Sequence, residues 1–263
     1  MSQQGLVILK LGGSVITLKE KPFTANEEAI RRLAGEIASS GVRDLVIVHG
    51  GGSFGHPLAQ EYDIHKGFKE ERQLRGLAET HLAMEELNKL VVEALLAEGL
   101  PAIPLPPVSC FLMEAGRIRS AFLDPLKAVL SLKAIPVLYG DVALDAERGF
   151  TILSGDQIVA HLALGLKAAR VVLGVDVDGV FDKDPHEHPD AVLLEHLRPG
   201  DLKAVKAGGS RTTDVTGGMR RKLEEMLPVV QAGVPVFITN AGVAGNILRA
   251  LRGEKTRGTL ITP

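Results

Sequence analysis

The sequence predicts an α/β protein whose mostly parallel sheet is covered by helices on both faces. Three observations carry this. Short, wholly apolar runs such as Leu45-Val-Ile-Val48 are the pattern of strands buried on both faces. Segments with apolar residues at three- and four-residue steps lie between those runs, as crossover helices do. Glycine-rich turns follow several runs directly, where ligands of such sheets collect.

Element by element, Leu6-Val-Ile-Leu9 opens as a buried strand. Thr24-Ala-Asn-Glu27 has capping-box spacing, so a helix is expected from there to Ser40, closed by Gly41. Leu45 to Val48 is the second strand. Leu74, Leu77, His81, Met84, Leu87, Val91 and Leu95 then mark one face of a long helix that ends before Gly99. Ile103 to Pro107 is extended, and Phe111 to Ile118 forms a small hairpin about Glu114-Ala-Gly116. Asp124 to Leu132 is helical and Ile135 to Leu138 returns to strand. From Thr151 a second rhythm begins: Ser154-Gly-Asp156 leads a helix to Leu166, and Arg170 to Leu173 is a strand. Asp178-Gly179 is a turn, Gly217-Gly218 leads a helix from Met219 to Gln231, and Pro235 to Ile238 is the last clear strand. The rhythm places a boundary near residue 168, giving lobes 1–168 and 169–263.

Composition narrows the function. With 263 residues the chain can bury a large core, as one domain or two closely joined lobes. Its net charge of -2, without long single-sign runs, argues against nucleic acid or an anionic membrane as partner. No apolar stretch approaches the ~20 residues of a membrane span, and no signal stretch precedes the first strand. Cys110 is the single cysteine, so neither a disulfide framework nor a cysteine zinc site is expected, and no metal-ligating residues are assigned. These features fit a soluble, cytoplasmic protein.

The chemistry concentrates in three glycine-led segments. His49-Gly-Gly-Gly-Ser-Phe-Gly-His56 follows the second strand. Its glycines let backbone N–H groups approach an anion without a Cβ in the way, and a helix starting near Ser53 adds its positive end. Gly50-x-Gly52-x-x-Gly55 also satisfies the letters of a dinucleotide fingerprint. The acid about 20 residues on, Glu70 or Glu71, falls in a charged helix start rather than at a strand end, so an NAD site is disfavoured. Lys10 interrupts an apolar strand and precedes Gly12-Gly13-Ser14; buried there it needs an anion, although it could also snorkel to solvent. Gly217-Gly-Met-Arg-Arg-Lys222 is a third cationic helix start, or simply a solvated face. Asp156 either caps a helix or holds two phosphate-binding lysines in place, since ammonium groups repel. No Gly-x4-Gly-Lys-Ser/Thr pattern exists, so an ordinary P-loop is excluded.

Lys10-Leu-Gly-Gly-Ser14, the glycine loop, Ser154-Gly-Asp156, Val177-Asp-Gly-Val-Phe181 with Asp182-Lys-Asp-Pro185, and Gly217-Gly-Met219 with Lys222 together resemble the amino acid kinase superfamily, over essentially the whole chain. The second histidine of the loop resembles that superfamily's isopentenyl phosphate kinase branch, and Lys19 falls where that branch places a lysine near the transferred phosphate.

The resemblance implies a three-layer αβα sandwich, with the phosphate acceptor held by lobe 1–168 and ATP by lobe 169–263. It implies that Lys10, Gly12, Gly13 and Ser14 contact the ATP phosphates, with Gly217 and Lys222 opposite and Gly52 alongside. Asp176, Asp178 and Gly179 would border the adenosine. Gly50, Gly51, Gly52, Gly55, Gly155 and His56 would hold the acceptor. Lys10, Lys19, His56, Asp156 and Lys222 are the expected catalytic set, with ATP and Mg²⁺ as cofactors, His56 acting as an imidazolium, and a homodimer as the assembly. Leu74, Leu77, Met84 and Leu87 are candidates for an apolar tail pocket, though ordinary core packing at helical spacing is the better account of any one of them. A kinase of another phosphate or phosphonate (fosfomycin-type) and a non-catalytic nucleotide-binding protein are the alternatives.

Overall fold

Among the described residues, eight strands make one continuous sheet at the centre of the molecule. Its middle is formed by β1 (Val7–Leu11), β2 (Leu45–His49), β6 (Ile135–Tyr139) and β9 (Arg170–Val175). One edge is β3 (Ala102–Pro104); the other carries β10 (His196–Leu197), β11 (Val236–Asn240) and β12 (Thr259–Ile261). The order is β10-β12-β11-β9-β1-β2-β6-β3, parallel throughout except between β11 and β12. The computed structural model describes residues 5–185, 187–201 and 218–263.

Helices α2 (Glu27–Ser40), α4 (Arg72–Ala97) and α9 (Asn246–Arg252) cover one face, and α6 (Asp124–Ser131), α7 (Gly155–Gly165) and α8 (Gly218–Gln231) cover the other. The expected three layers are present. Side-chain alternation along β1 decides where its residues go. Val7, Leu9 and Leu11 join the core under α2 and α4, while Ile8 joins the core under α7 and α8. Lys10 shares the parity of Ile8, so its ammonium is delivered to the α7–α8 side.

Short helices α1 (Gly13–Ile16), α3 (Gly52–Glu61) and α5 (Pro107–Cys110) follow their preceding segments directly. A second sheet of β4 (Phe111–Glu114), β5 (Arg117–Ala121), β7 (Asp141–Asp145) and β8 (Gly149–Leu153), ordered β5-β4-β7-β8, lies beyond the end of β6. The β4–β5 hairpin was expected; β7 and β8 were not. Both hairpin turns hang on Asp145, whose buried carboxylate accepts the amides of Ala115, Gly116, Glu147 and Arg148.

Two further departures have local causes. Helix α2 is capped by Asn26, whose side chain accepts the Ala29 amide, rather than by Thr24. Thr24 precedes a bridge between Thr17 and Ala25, and its carbonyl is taken by Leu18 N–H. The chain also continues past β11 into α9, whose N-terminus is capped from a distance. Glu36 of α2 accepts the amides of Gly245, Ile247 and Leu248 at 2.9–3.2 Å and pairs with Arg32 at 2.6 Å. Arg32 in turn donates to Ala241 O. A carboxylate at a helix N-terminus satisfies orphan amides and complements the helix dipole.

Glu36→Ala strips three helix amides and Arg32 of this acceptor and is expected to cost about 3 kcal/mol of unfolding free energy. Urea denaturation measures it; a loss below about 1 kcal/mol would mean that water replaces the cap without penalty.

Candidate active site

The carboxyl ends of β9, β1, β2 and β6 lie side by side, and the segments leaving them form one crevice. Lys10 and Lys222, 7% and 8% exposed, meet there across Asp156. Lys10 Nζ lies 2.6 Å from Asp156 Oδ1, and Lys222 Nζ lies 3.1 and 3.2 Å from its two oxygens. Ser154 is the cap of α7, its side chain accepting the Gln157 amide, which leaves Asp156 in the first turn to bridge the lysines. Burial alone would raise the Asp156 pKa, but the two ammonium groups hold it down to about 2. Burial pulls Lys10 down to about 8 against the attraction of Asp156, with Lys222 adding repulsion. The trio carries one net positive charge at neutral pH, in a place largely closed to water.

Two glycine loops cross in front of it. A Cβ on Gly13 would collide with the backbone of Gly50 and Gly52, so the loops touch main chain to main chain. Gly52 also has φ of +47°, and a side chain there would strike Thr17 Oγ1 and Gly13 O. The amides are not equivalent. Gly12 N–H is bonded to Gly174 O, Gly50 N–H to Leu11 O and Gly55 N–H to Gly51 O. Those three expected site glycines therefore serve by their missing side chains. The amides of Gly13, Ser14, Gly51, Gly52 and Gly155 carry no backbone or side-chain acceptor among the described residues. Gly155 sits against the Lys10 stem, where a Cβ would meet Cε at 3.3 Å.

The two histidines of the loop have different fates. His49 is fully buried, stacked 5.5 Å from the Tyr139 ring, with Nδ1 3.0 Å from Gly50 O and Nε2 3.1 Å from the Asn88 side-chain amide. Burial pushes its pKa down to about 4, so the ring is neutral and its single N–H donates to one of two oxygens, Gly50 O beside Nδ1 or Asn88 Oδ1 beside Nε2. It is a structural pin. His56, the fifth residue of α3, opens to solvent at the crevice. Loss of hydration and then the Lys10 charge hold its pKa below the usual histidine value. The protein alone therefore favours neutral His56 at pH 7, and the expected imidazolium requires a bound anion to draw the proton on.

Lys19 stands apart from the trio, 2.8 Å from Asp176 and exposed. Burial opposes ionisation of Asp176, but the Lys19 hydrogen bond and charge and the Ser14 hydroxyl hold its pKa low. Asp178 pairs with Arg257 at 2.6 Å and accepts from Asn240, and Gly179 packs on Thr259. Gly217 lies outside the described residues. Asp156, Asp176 and Asp178 are thus each engaged by a cation, and no group of three acidic, histidine or cysteine side chains suited to a metal occurs among the described residues. The described residues hold no ligand set of their own for Mg²⁺.

Of the tail-pocket candidates, Leu74 points to solvent and Leu87 is deep core. Met84 props the loop: its Sδ would lie 3.0 Å from a Cβ on Gly51 or Gly55. Leu77 packs against the small cluster of Ala59, Ile64, Val142 and Phe150. His81 pairs with buried Asp141 at 2.7 Å, which raises its pKa against the opposing effect of burial. Thr17, Asn88 and Asp141 were missed because a lone polar residue beside apolar ones carries no spacing signal.

The sequence model of the amino acid kinase family matches residues 5–240. Isopentenyl phosphate kinase of Methanothermobacter thermautotrophicus is 45% identical over 265 residues, spanning 98% of this chain and 99% of that one. A crystal structure of isopentenyl phosphate kinase superposes with a TM-score of 0.86 at 43% identity, covering 98% and 100% of the two chains. The product complex of the Thermoplasma acidophilum isopentenyl phosphate kinase superposes with a TM-score of 0.81 at 34% identity, covering 97% and 99%.

Asp156→Asn leaves two buried ammonium groups facing each other and is expected to lower the melting temperature by about 10 °C. Tripolyphosphate should restore more of it than it adds to the parent. Thermal unfolding with and without tripolyphosphate checks both; an unchanged melting temperature would show that the lysines need no carboxylate.

Proposed function

The chain belongs to the amino acid kinase family and, within it, to the isopentenyl phosphate kinases; from that premise we propose that it phosphorylates isopentenyl phosphate with ATP, giving isopentenyl diphosphate and ADP. The observation that carries the reading is His56 beside the unbonded amides of Gly51 and Gly52, facing the Lys10–Asp156–Lys222 trio. An anion-binding loop with its own titratable cation suits an acceptor that is itself a phosphate. Kinases acting on carboxylates have no need of it.

The acceptor's second pKa is near 6, so at neutral pH its phosphate is largely a dianion. An acceptor oxygen attacks the γ-phosphorus in line, the bond from that phosphorus to the bridging oxygen breaks, and ADP leaves; no proton needs removing. The barrier is the approach of two anions, lowered by fixed cations and amides. Lys10, Lys222 and the Gly13 and Ser14 amides would hold the ATP phosphates. The Gly51, Gly52 and Gly155 amides and His56 would hold the acceptor. Lys19, released from Asp176, would reach the transferred group, and Asp176 to Gly179 would border the nucleoside. The acceptor would lie in 1–168 and the nucleoside against 169–263, with Lys10, Gly13, Ser14 and Lys19 reaching the ATP phosphates from the first lobe. Mg²⁺ belongs with the nucleotide, since it is held chiefly by phosphate oxygens and water in such sites. We also propose that the protein acts as a cytoplasmic homodimer.

ADP release from Mg²⁺–ATP is expected with isopentenyl phosphate and not with glutamate, carbamate or UMP. Turnover on fosfomycin alone would move the assignment to a phosphonate kinase, and silence on the whole panel with ATP bound would leave a nucleotide-binding protein. His56→Ala should slow turnover about 100-fold while ATP affinity changes less than about threefold; full activity would take His56 out of the reaction.

The pKa of His56 gives a further outcome. A dianionic acceptor raises a pKa that the protein alone depresses, so binding takes up a proton. Affinity should rise as pH falls through the histidine pKa of the complex, then fall again near pH 6 as the acceptor loses charge. Calorimetry at pH 7 in buffers of different ionisation heat should show uptake in the parent and none in His56→Gln. Equal uptake in both would assign the proton elsewhere.

A further inference from the structure

We propose that the Thr17 hydroxyl is the positioning group that fixes the spacing between the donor and acceptor phosphates. Thr17 directly follows α1 and is 2% exposed. Its Oγ1 donates to Gly13 O at 2.7 Å and accepts the Ser53 amide at 3.0 Å. Gly13 and Ser14 supply the unbonded amides of the first loop; Ser53 lies between Gly52 and His56 in the second. Among the described residues, Thr17 is the side chain hydrogen-bonded to both. The fit is close on its other side as well, because Oγ1 occupies the space a Cβ of Gly52 would need.

One hydroxyl fills both roles because it has one hydrogen to give and lone pairs to receive. Serine can do the same. Valine, of equal shape, can do neither: Ser53 N–H would lose its acceptor in a buried place, and Gly13 O would keep only the Thr17 backbone N–H, at 3.0 Å. The consequence differs from a general loss of stability. Each loop keeps its own amides and so its own ligand, while the register of one loop against the other is released. In-line transfer depends on that register, since the reacting atoms must be held roughly 3–3.5 Å apart and a displacement of about 1 Å costs on the order of 100-fold in rate. Thr17 touches neither phosphate and acts through the loops it joins.

The inference rests on the assignment of Gly13–Ser14 to ATP and of Gly51–His56 to the acceptor. The test compares the full-length parent, Thr17→Val and Thr17→Ser by single-turnover transfer from ATP to isopentenyl phosphate, with dissociation constants for each ligand alone. Thr17→Val should transfer about 100-fold more slowly with both dissociation constants within about threefold of the parent. Thr17→Ser should stay within about fivefold in rate. If Thr17→Val does not fold, Thr17→Ala, which adds no bulk, takes its place. Transfer by the Val or Ala variant within about threefold of the parent overturns the proposal. So does a loss in which both ligand affinities fall in step with rate and serine gives no rescue, because that is a structural role. A parent that fails to transfer to isopentenyl phosphate brings down the functional reading, and this one with it.

Discussion

Two ammonium groups can bracket a polyphosphate only if they stand close together, and close together in a dry place they repel. The carboxylate of Asp156 resolves this conflict, and much of the crevice is arranged around it. It needs β1 to turn Lys10 toward α7, α7 to start where its first turn meets β1, and α8 to bring Lys222 within 3.1 Å. Each requirement is met by an element whose remaining residues are ordinary core: Ile8 on β1, Ile158 and Val159 on α7, Met226 and Val229 on α8. The apolar packing supplies the rigidity, and the charged trio spends part of it, since burying ions is costly even when they are paired.

Strand order does the rest. In a parallel sheet, adjacent strands present their carboxyl ends about 4.8 Å apart, so the turns leaving β9, β1, β2 and β6 are neighbours before any side chain is considered. That closeness explains the glycines better than phosphate binding alone does. Gly12, Gly50 and Gly55 have bonded amides, and what they contribute is room: for Gly174 O, for the Gly13 backbone, and for Met84 Sδ. Only part of each glycine-rich loop leaves its amides unbonded; the remainder lets two loops occupy nearly the same place.

This division was not legible in the sequence. Apolar runs, periodicity and cap signals revealed the longer helices and the central strands because each is a local pattern, while the short α1, α5 and α9 were not expected. Lys10 was legible because a charge inside an apolar strand demands a partner. His49 and His56 could not be told apart by residue type, since what separates them is burial against Asn88 and Tyr139, brought in from 39 and 90 positions away. The cap of α9 was equally hidden: Glu36 sits on α2, 209 residues before the Gly245 amide that it accepts. Strand β7 carried no such signal, because its acids Asp141 and Asp145 are satisfied by His81 and by hairpin amides that the sequence does not place beside them. Long-range polar satisfaction leaves no period and no spacing behind it.

The proposed reaction gives the crevice its economy. A nucleophile that arrives already ionised needs no general base, so no residue has to be tuned to take its proton, and His56 is left free to serve as a counter-charge. What remains for the protein is to hold two anions at a set distance and exclude the wrong acceptor. Both tasks fall to the same loop. An acceptor without a phosphate leaves the Gly51 and Gly52 amides and His56 without an anion, which forfeits charge-assisted hydrogen bonds of the stronger kind. An acceptor with a phosphate but a misplaced tail still fills the anion site, and there discrimination must come from apolar contact. Contacts of that kind separate homologous ligands by only about 1–3 kcal/mol per methylene. Selectivity for the phosphate should therefore be steep and selectivity for the tail shallow, a consequence of which forces were assigned to which end of the acceptor.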